Sequence, residues 1–169
     1  MLAGRGWAAP GRIVSRGLSA GGLLQGAVFS MTSRRWRAVV AEVPFVDCVT
    51  TIAGPGHPLT IQEHEWGDPR DPDTRAYLAA YSPYDNVPTG RRPDLLVAGS
   101  PHDPRVLIHE PAKWVARLRA TDTAGSRLLF RAELAARAGA RGPAGRDDRL
   151  RYEAEILGSS WTRRVNQGT

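Results

Sequence analysis

Gly17-Leu18-Ser19-Ala20-Gly21 is the stretch whose residue types and spacing say most about chemistry. A serine with glycine two positions to either side, preceded by the β-branched run Arg12-Ile13-Val14-Ser15 and followed by helix-like sequence, reads as a nucleophile elbow. There the serine sits on a strained strand-to-helix turn, and the spacing predicts that Gly17 and Gly21 both supply room that a Cβ would fill. Such a serine attacks carbonyl carbon when a histidine removes its proton and an acid orients that histidine. Asp103, in Ser100-Pro101-His102-Asp103-Pro104-Arg105, is a candidate acid, although an aspartate before proline is also a routine turn residue. Glu63-His64-Glu65 places two carboxylates at i and i+2, which on an extended segment point the same way and could hold a cationic side chain. Two unrelated acids on a solvated turn are the competing reading, which the residue types alone favour.

The elements that must position these groups alternate along the chain. A strand over 12–15 feeds a helix from Ala20 to about Met31, where Leu23, Leu24, Ala27, Val28 and Met31 recur at helical spacing. The run Ala38 to Val43 is nearly all apolar, as in a parallel strand covered on both faces, and Pro44 stops it. Phe45 to Pro72 carries the breakers Gly54-Pro55-Gly56 and His57-Pro58, and reads as an irregular excursion. A helix opens at Asp71-Pro72 and runs to Tyr81. Asp94 to Gly99 is a buried strand, Pro111 to Arg119 an amphipathic helix, Arg127 to Arg131 a last strand, and a further helix follows. This order predicts an α/β fold with a doubly wound, mostly parallel sheet, so that Ser19 and Asp103 share the rim at the strands' carboxyl ends.

The 169 residues suit about one domain, and 41% hydrophobic with 24% charged residues is an ordinary globular balance. A net charge of +6 invites a nucleic-acid partner. The arginines, however, are spread over the whole chain and accompany abundant Ala, Gly and Pro, a composition bias that argues against that partner. Cys48 is the only cysteine, so an intrachain disulfide and a cysteine metal site are excluded. It reads as a small buried hydrophobe in a cytoplasmic protein. No run is long and apolar enough for a membrane span, and no metal motif or cofactor fingerprint is present. The acid-free first 41 residues superficially resemble a transit peptide, but they are better explained as strand, elbow and helix.

Four blocks then fall in one order: residues 12–24 around the elbow, Ala41-Glu42-Val43-Pro44-Phe45-Val46-Asp47, Tyr81-Ser82-Pro83-Tyr84-Asp85-Asn86-Val87, and Asp103-Pro104-Arg105-Val106 with Glu110-Pro111-Ala112-Lys113-Trp114-Val115-Ala116. Together they resemble the oligopeptidase B branch of the prolyl oligopeptidase family of serine peptidases. The resemblance covers about residues 7–157 and leaves a tail, 158–169, unassigned. It implies the second half of an α/β-hydrolase domain, with Ser19 as nucleophile, Asp103 as triad acid and the Ala20 amide as one oxyanion donor. It also implies Glu63, Glu65 and Arg105 as substrate-binding residues, and short basic peptides cut after Arg or Lys as substrates.

Two departures stand against that expectation. The family closes its triad with a Gly-His-Gly-Gly motif, where this chain has Gly139-Ala140-Arg141-Gly142. The histidines are His57, His64, His102 and His109, and none lies at a matching position. Encoded as GGG-GCA-CGG-GGN, residues 139–142 read Gly-His-Gly when shifted by one base, and Gly-His-Gly-Gly where N is G, so a compensated frameshift is one explanation. The second departure is length. The family's propeller, its first sheet half and the second oxyanion donor lie upstream of an elbow that comes at the start of this chain. The elbow strand is then expected at an exposed apolar edge, in need of an upstream domain or partner to cover it, and the isolated chain is expected to be of low stability. A catalytically inactive remnant, serving as a basic binding module, is the alternative to a peptidase fragment.

Overall fold

The computed structural model describes residues 4–9, 11–54, 63–121, 125–134 and 145–161. Among these residues four parallel strands, β1 (Ile13–Leu18), β2 (Trp36–Glu42), β3 (Asp94–Gly99) and β4 (Leu128–Ala132), lie side by side in sequence order. Between and after them run α1 (Ala20–Met31), α2 (Cys48–Ala53), α3 (Glu63–Trp66), α4 (Pro72–Tyr81), α5 (His109–Ala120) and α6 (Arg146–Trp161). The α/β expectation holds, and helices cover both faces of the sheet.

Period-two alternation assigns the faces. Val39, Ala41, Leu95 and Val97 point to one side and form a core with Phe29 of α1 and Trp114, Val115 and Leu118 of α5. Phe29 and Trp114 meet edge to face there, 6.0 Å between centroids. Val40 and Leu96 point to the other side, against Tyr152 and Ile156 of α6. The central strands are therefore buried on both faces, which explains their continuous apolar sequence. β1 is an edge strand that alternates half-buried with exposed residues, and Val14 and Leu18 are open to solvent.

A separate core sits over the carboxyl ends of the strands, made by Leu23, Phe45, Cys48, Val49, Ile52, Leu78 and Val106. The segment expected to be irregular after Phe45 contains α2, because Asp47 caps it by accepting from the Thr50 amide at 2.9 Å and Cys48, Val49 and Ile52 seal it. Six residues are too few for helical periodicity to register. α4 starts as the sequence indicates, with Asp71 as cap and Pro72 in the first turn. α6 continues past Gly158 to Trp161, so the first residues of the unassigned tail belong to a helix.

These cores make the fold sensitive to alkali. Burial pushes the Cys48 thiol from 9.0 up to about 12, and burial raises the Tyr81 hydroxyl to about 12. Burial and the hydrogen bond to Glu42 also raise Tyr152. Each group ionises more readily once unfolded, so its contribution is intact below the unfolded value and is lost as pH rises through the folded one. For Cys48 the slope is up to about 1.4 kcal/mol per pH unit. Thermal midpoints are expected to fall steadily above pH 9, and Cys48→Ala to flatten that fall.

Candidate active site

Ser19 occupies the turn between β1 and α1 at φ 58° and ψ −118°, a conformation that costs a residue with a side chain about 1–3 kcal/mol. Its amide donates to the Glu42 carbonyl at 2.9 Å, and its carbonyl accepts from Leu23 at 3.0 Å. A Cβ on Gly17 would lie 2.2 Å from the Gly21 carbonyl oxygen. One on Gly22 would lie 2.8 Å from Pro44 Cα. The elbow thus needs glycine at 17 and 22, and a Cβ on Gly21 faces open space, which corrects the expectation that 17 and 21 share that role. Ala20 is the first residue of α1, where amides lack intrahelical acceptors.

Asp103 lies in the loop after β3 and is 2% exposed. Its Oδ1 accepts from the Arg105 amide at 2.8 Å and the Val106 amide at 3.0 Å. Its Oδ2 is buried and has no hydrogen-bond partner among the described residues. One oxygen therefore fixes the carboxylate and the other is left to accept a further donor. β1 and β3 flank β2, so at about 4.8 Å per strand the two strand ends stand roughly 10 Å apart. That span accommodates two side chains with one imidazole between them.

No described histidine fills the span. His102 is exposed beside Asp103, its amide bonded to Ser100 Oγ at 3.1 Å. His109 is about half exposed at the start of α5, 3.7 Å from Glu110. His57, the His64 side chain and residues 139–142 lie outside the described residues. Among the described residues no cluster could hold a metal ion.

Glu63 and Glu65 fall in the single helical turn α3, where positions i and i+2 diverge by about 200°. The extended-segment geometry is therefore corrected. Glu65 is exposed, and the Glu63 side chain lies outside the described residues. Arg105 is exposed, and only its amide engages Asp103.

Sequence reasoning noticed Glu110-Pro111-Ala112-Lys113-Trp114 and gave it no task. Glu110 is fully buried, and its Oε2 accepts from the Val46 and Asp47 amides, both at 3.0 Å. Its Oε1 accepts from Thr51 Oγ1 and lies 3.1 Å from Lys113 Nζ. Lys113 also donates to Asp47 Oδ2 at 2.7 Å. Burial disfavours its charge, but Asp47 and Glu110 outweigh this and raise its pKa. A second cluster at the edge joins Arg16 of β1 to Glu42 and to Glu153 of α6, with the Tyr152 hydroxyl donating to Glu42 at 2.8 Å. Glu153 holds Arg16 in its charged form, and Arg16 in turn lowers the Glu153 pKa.

The family model described as the prolyl oligopeptidase family matches residues 1–155. The chain belongs to that family. Protease 2 of Moraxella lacunata is 43% identical over 155 residues, covering 91% of this chain and 22% of the relative. Dipeptidyl aminopeptidase BI of Pseudoxanthomonas mexicana is 41% identical over 157 residues, covering 92% and 21%. Among solved structures, oligopeptidase B of Leishmania major superposes with a TM-score of 0.83 at 35% identity, over 94% of this chain and 22% of that one. Oligopeptidase B of Trypanosoma brucei, with covalently bound antipain, gives 0.83 at 36% identity over 95% and 22%. The chain thus spans about a fifth of the length of these relatives. The shared fold is that of the family's α/β-hydrolase domains. No helix among the described residues is long and apolar enough to cross a membrane.

Proposed function

We propose that this chain carries the nucleophile and acid half of a serine endopeptidase site that acts on short peptides after arginine or lysine. Ser19 attacks the scissile carbonyl, the Ala20 amide donates to the resulting oxyanion, and Asp103 orients a histidine through Oδ2. Glu63, Glu65 and Arg105 form the substrate-binding group, in which the exposed Glu65 carboxylate attracts the basic side chain. The observation that carries this reading is the Asp103 carboxylate, buried with one oxygen tied down and the other unpartnered, on the rim that holds the strained Ser19. The covalently bound antipain of the trypanosomal neighbour is consistent with covalent chemistry.

Residues 139–142 lack the Gly-His-Gly-Gly motif that carries the family's base, and little turnover is expected of the chain as it stands, since triad members act as a unit. Specificity is tested on the double variant Ala140→His, Arg141→Gly. Arginyl and lysyl esters are expected to react at least about tenfold faster than leucyl esters, and Glu65→Gln to erase most of that preference. Equal rates on all three esters would overturn the basic-substrate assignment.

The second reading, an inactive basic binding module, draws on Arg34, Arg37 and Arg91. These border an open cleft of about 740 Å³ at the opposite end of the strands and have no ion pair among the described residues. Steeply salt-dependent nucleic-acid binding by a chain that no serine reagent labels would favour it.

A further inference from the structure

We infer that Lys113 and Glu110 are positioning residues for the substrate-binding turn α3, acting through Asp47, Val46 and Phe45; this deepens the proposed reading of Glu65 and rests on it. The path is contiguous. Glu110 takes the Val46 and Asp47 amides, and Lys113 takes the Asp47 carboxylate, which fixes the segment that leaves β2. The same segment is held from its other side. The Val46 carbonyl accepts from the Tyr84 amide at 3.0 Å and from Ser82 Oγ at 3.1 Å, while Ser82 Oγ accepts from the Cys48 amide at 3.3 Å.

Phe45, the residue before this clamp, is buried and meets the Trp66 ring edge to face at 5.5 Å. Trp66 ends α3 and follows Glu65 directly. The segment enters the clamp from a strained point, because Val43 has φ 39°, held by its N–H donating to the Ala98 carbonyl at 2.8 Å. A β-branched residue adopts that backbone only where its surroundings over-determine it. An ionic cluster with both carboxylates buried and its lysine half-buried has the stiffness for this, since its charges are satisfied only in one arrangement. Without Lys113, two buried carboxylates face each other across the Asp47 cap, and the segment under Trp66 loses its fixed position.

The test uses the ¹⁵N-labelled chain, with the Trp66 indole signal assigned by Trp66→Phe and benzamidine as the basic probe. Lys113→Met is expected to shift or broaden the Trp66 signal and weaken benzamidine about tenfold, leaving the Trp7 and Trp36 signals in place. Lys113→Arg is expected to restore both. An unmoved Trp66 signal in folded Lys113→Met, or equal change in all three indoles, would overturn the positioning role. If the wild-type chain itself ignores benzamidine, the substrate role of Glu65 falls, and the indole signals alone decide the positioning claim. Should Lys113→Met not fold, Phe45→Leu cuts the same path at its far end and is expected to move Trp66 alike; an unmoved signal there counts against the inference equally.

Discussion

Ala140→His with Arg141→Gly, which writes Gly-His-Gly-Gly across residues 139–142, is expected to raise the reaction rate of Ser19 with an arginyl ester by about a hundredfold or more. General-base assistance contributes about 10²–10⁴ in rate, and Asp103 is the acid proposed to orient the new imidazole. Asp103 has an anchored oxygen and an unpartnered one, and its side chain is buried, so the cost of ordering it is met by the fold. The gain is expected to follow the protonation of an imidazole, near pH 6.5 unless its surroundings move it. Asp103→Asn in the same background is expected to lose most of the gain, because the amide keeps the Oδ1 contacts but favours the wrong tautomer. Mixing-time kinetics over pH 5–9 measure both effects. A double variant no faster than wild type would separate this segment from the triad. Reading the locus in neighbouring frames checks the frameshift explanation independently.

Gly17→Ala and Gly21→Ala are expected to differ by about 4 kcal/mol in stability, although the two positions look equivalent in the pentapeptide. At Gly17 the new methyl lands 2.2 Å from a backbone oxygen and 2.6 Å from its carbon, and neither atom can move without dismantling the first turn of α1. A cost of about 3 kcal/mol or more follows. At Gly21 the methyl meets nothing, and alanine in a helix gains about 0.5–1 kcal/mol over glycine. Denaturant midpoints measure the difference. Equal loss at both positions would mean that Gly17 does not abut the Gly21 carbonyl.

That contrast also shows where sequence reading reaches its limit. Ser19, Asp103 and the strands beneath them are legible because an elbow, an apolar run and a loop after it are local patterns, each confined to a few adjacent residues. Gly22 and Pro44 are not, since their contact joins residues twenty-two apart through the packing of α1 on β2. Glu110, Lys113 and Asp47 were visible as letters in recognisable blocks. Their joint task depends on a meeting across more than sixty residues, for which no spacing rule exists. The turn at Glu63–Trp66 misled for a different reason: four residues carry no periodicity, so extended and helical geometries fit the same letters.

The proposal that no native histidine serves Ser19 as a base is tested most directly by the pH dependence of wild-type Ser19 labelling with a fluorophosphonate, the adduct mapped by mass spectrometry. The expected result is slow modification of Ser19, absent in Ser19→Ala, with a rate that climbs with pH and shows no step near 6.5. A step near 6.5 that disappears on replacing any one of the four native histidines would contradict it, by showing that the chain already contains its own base.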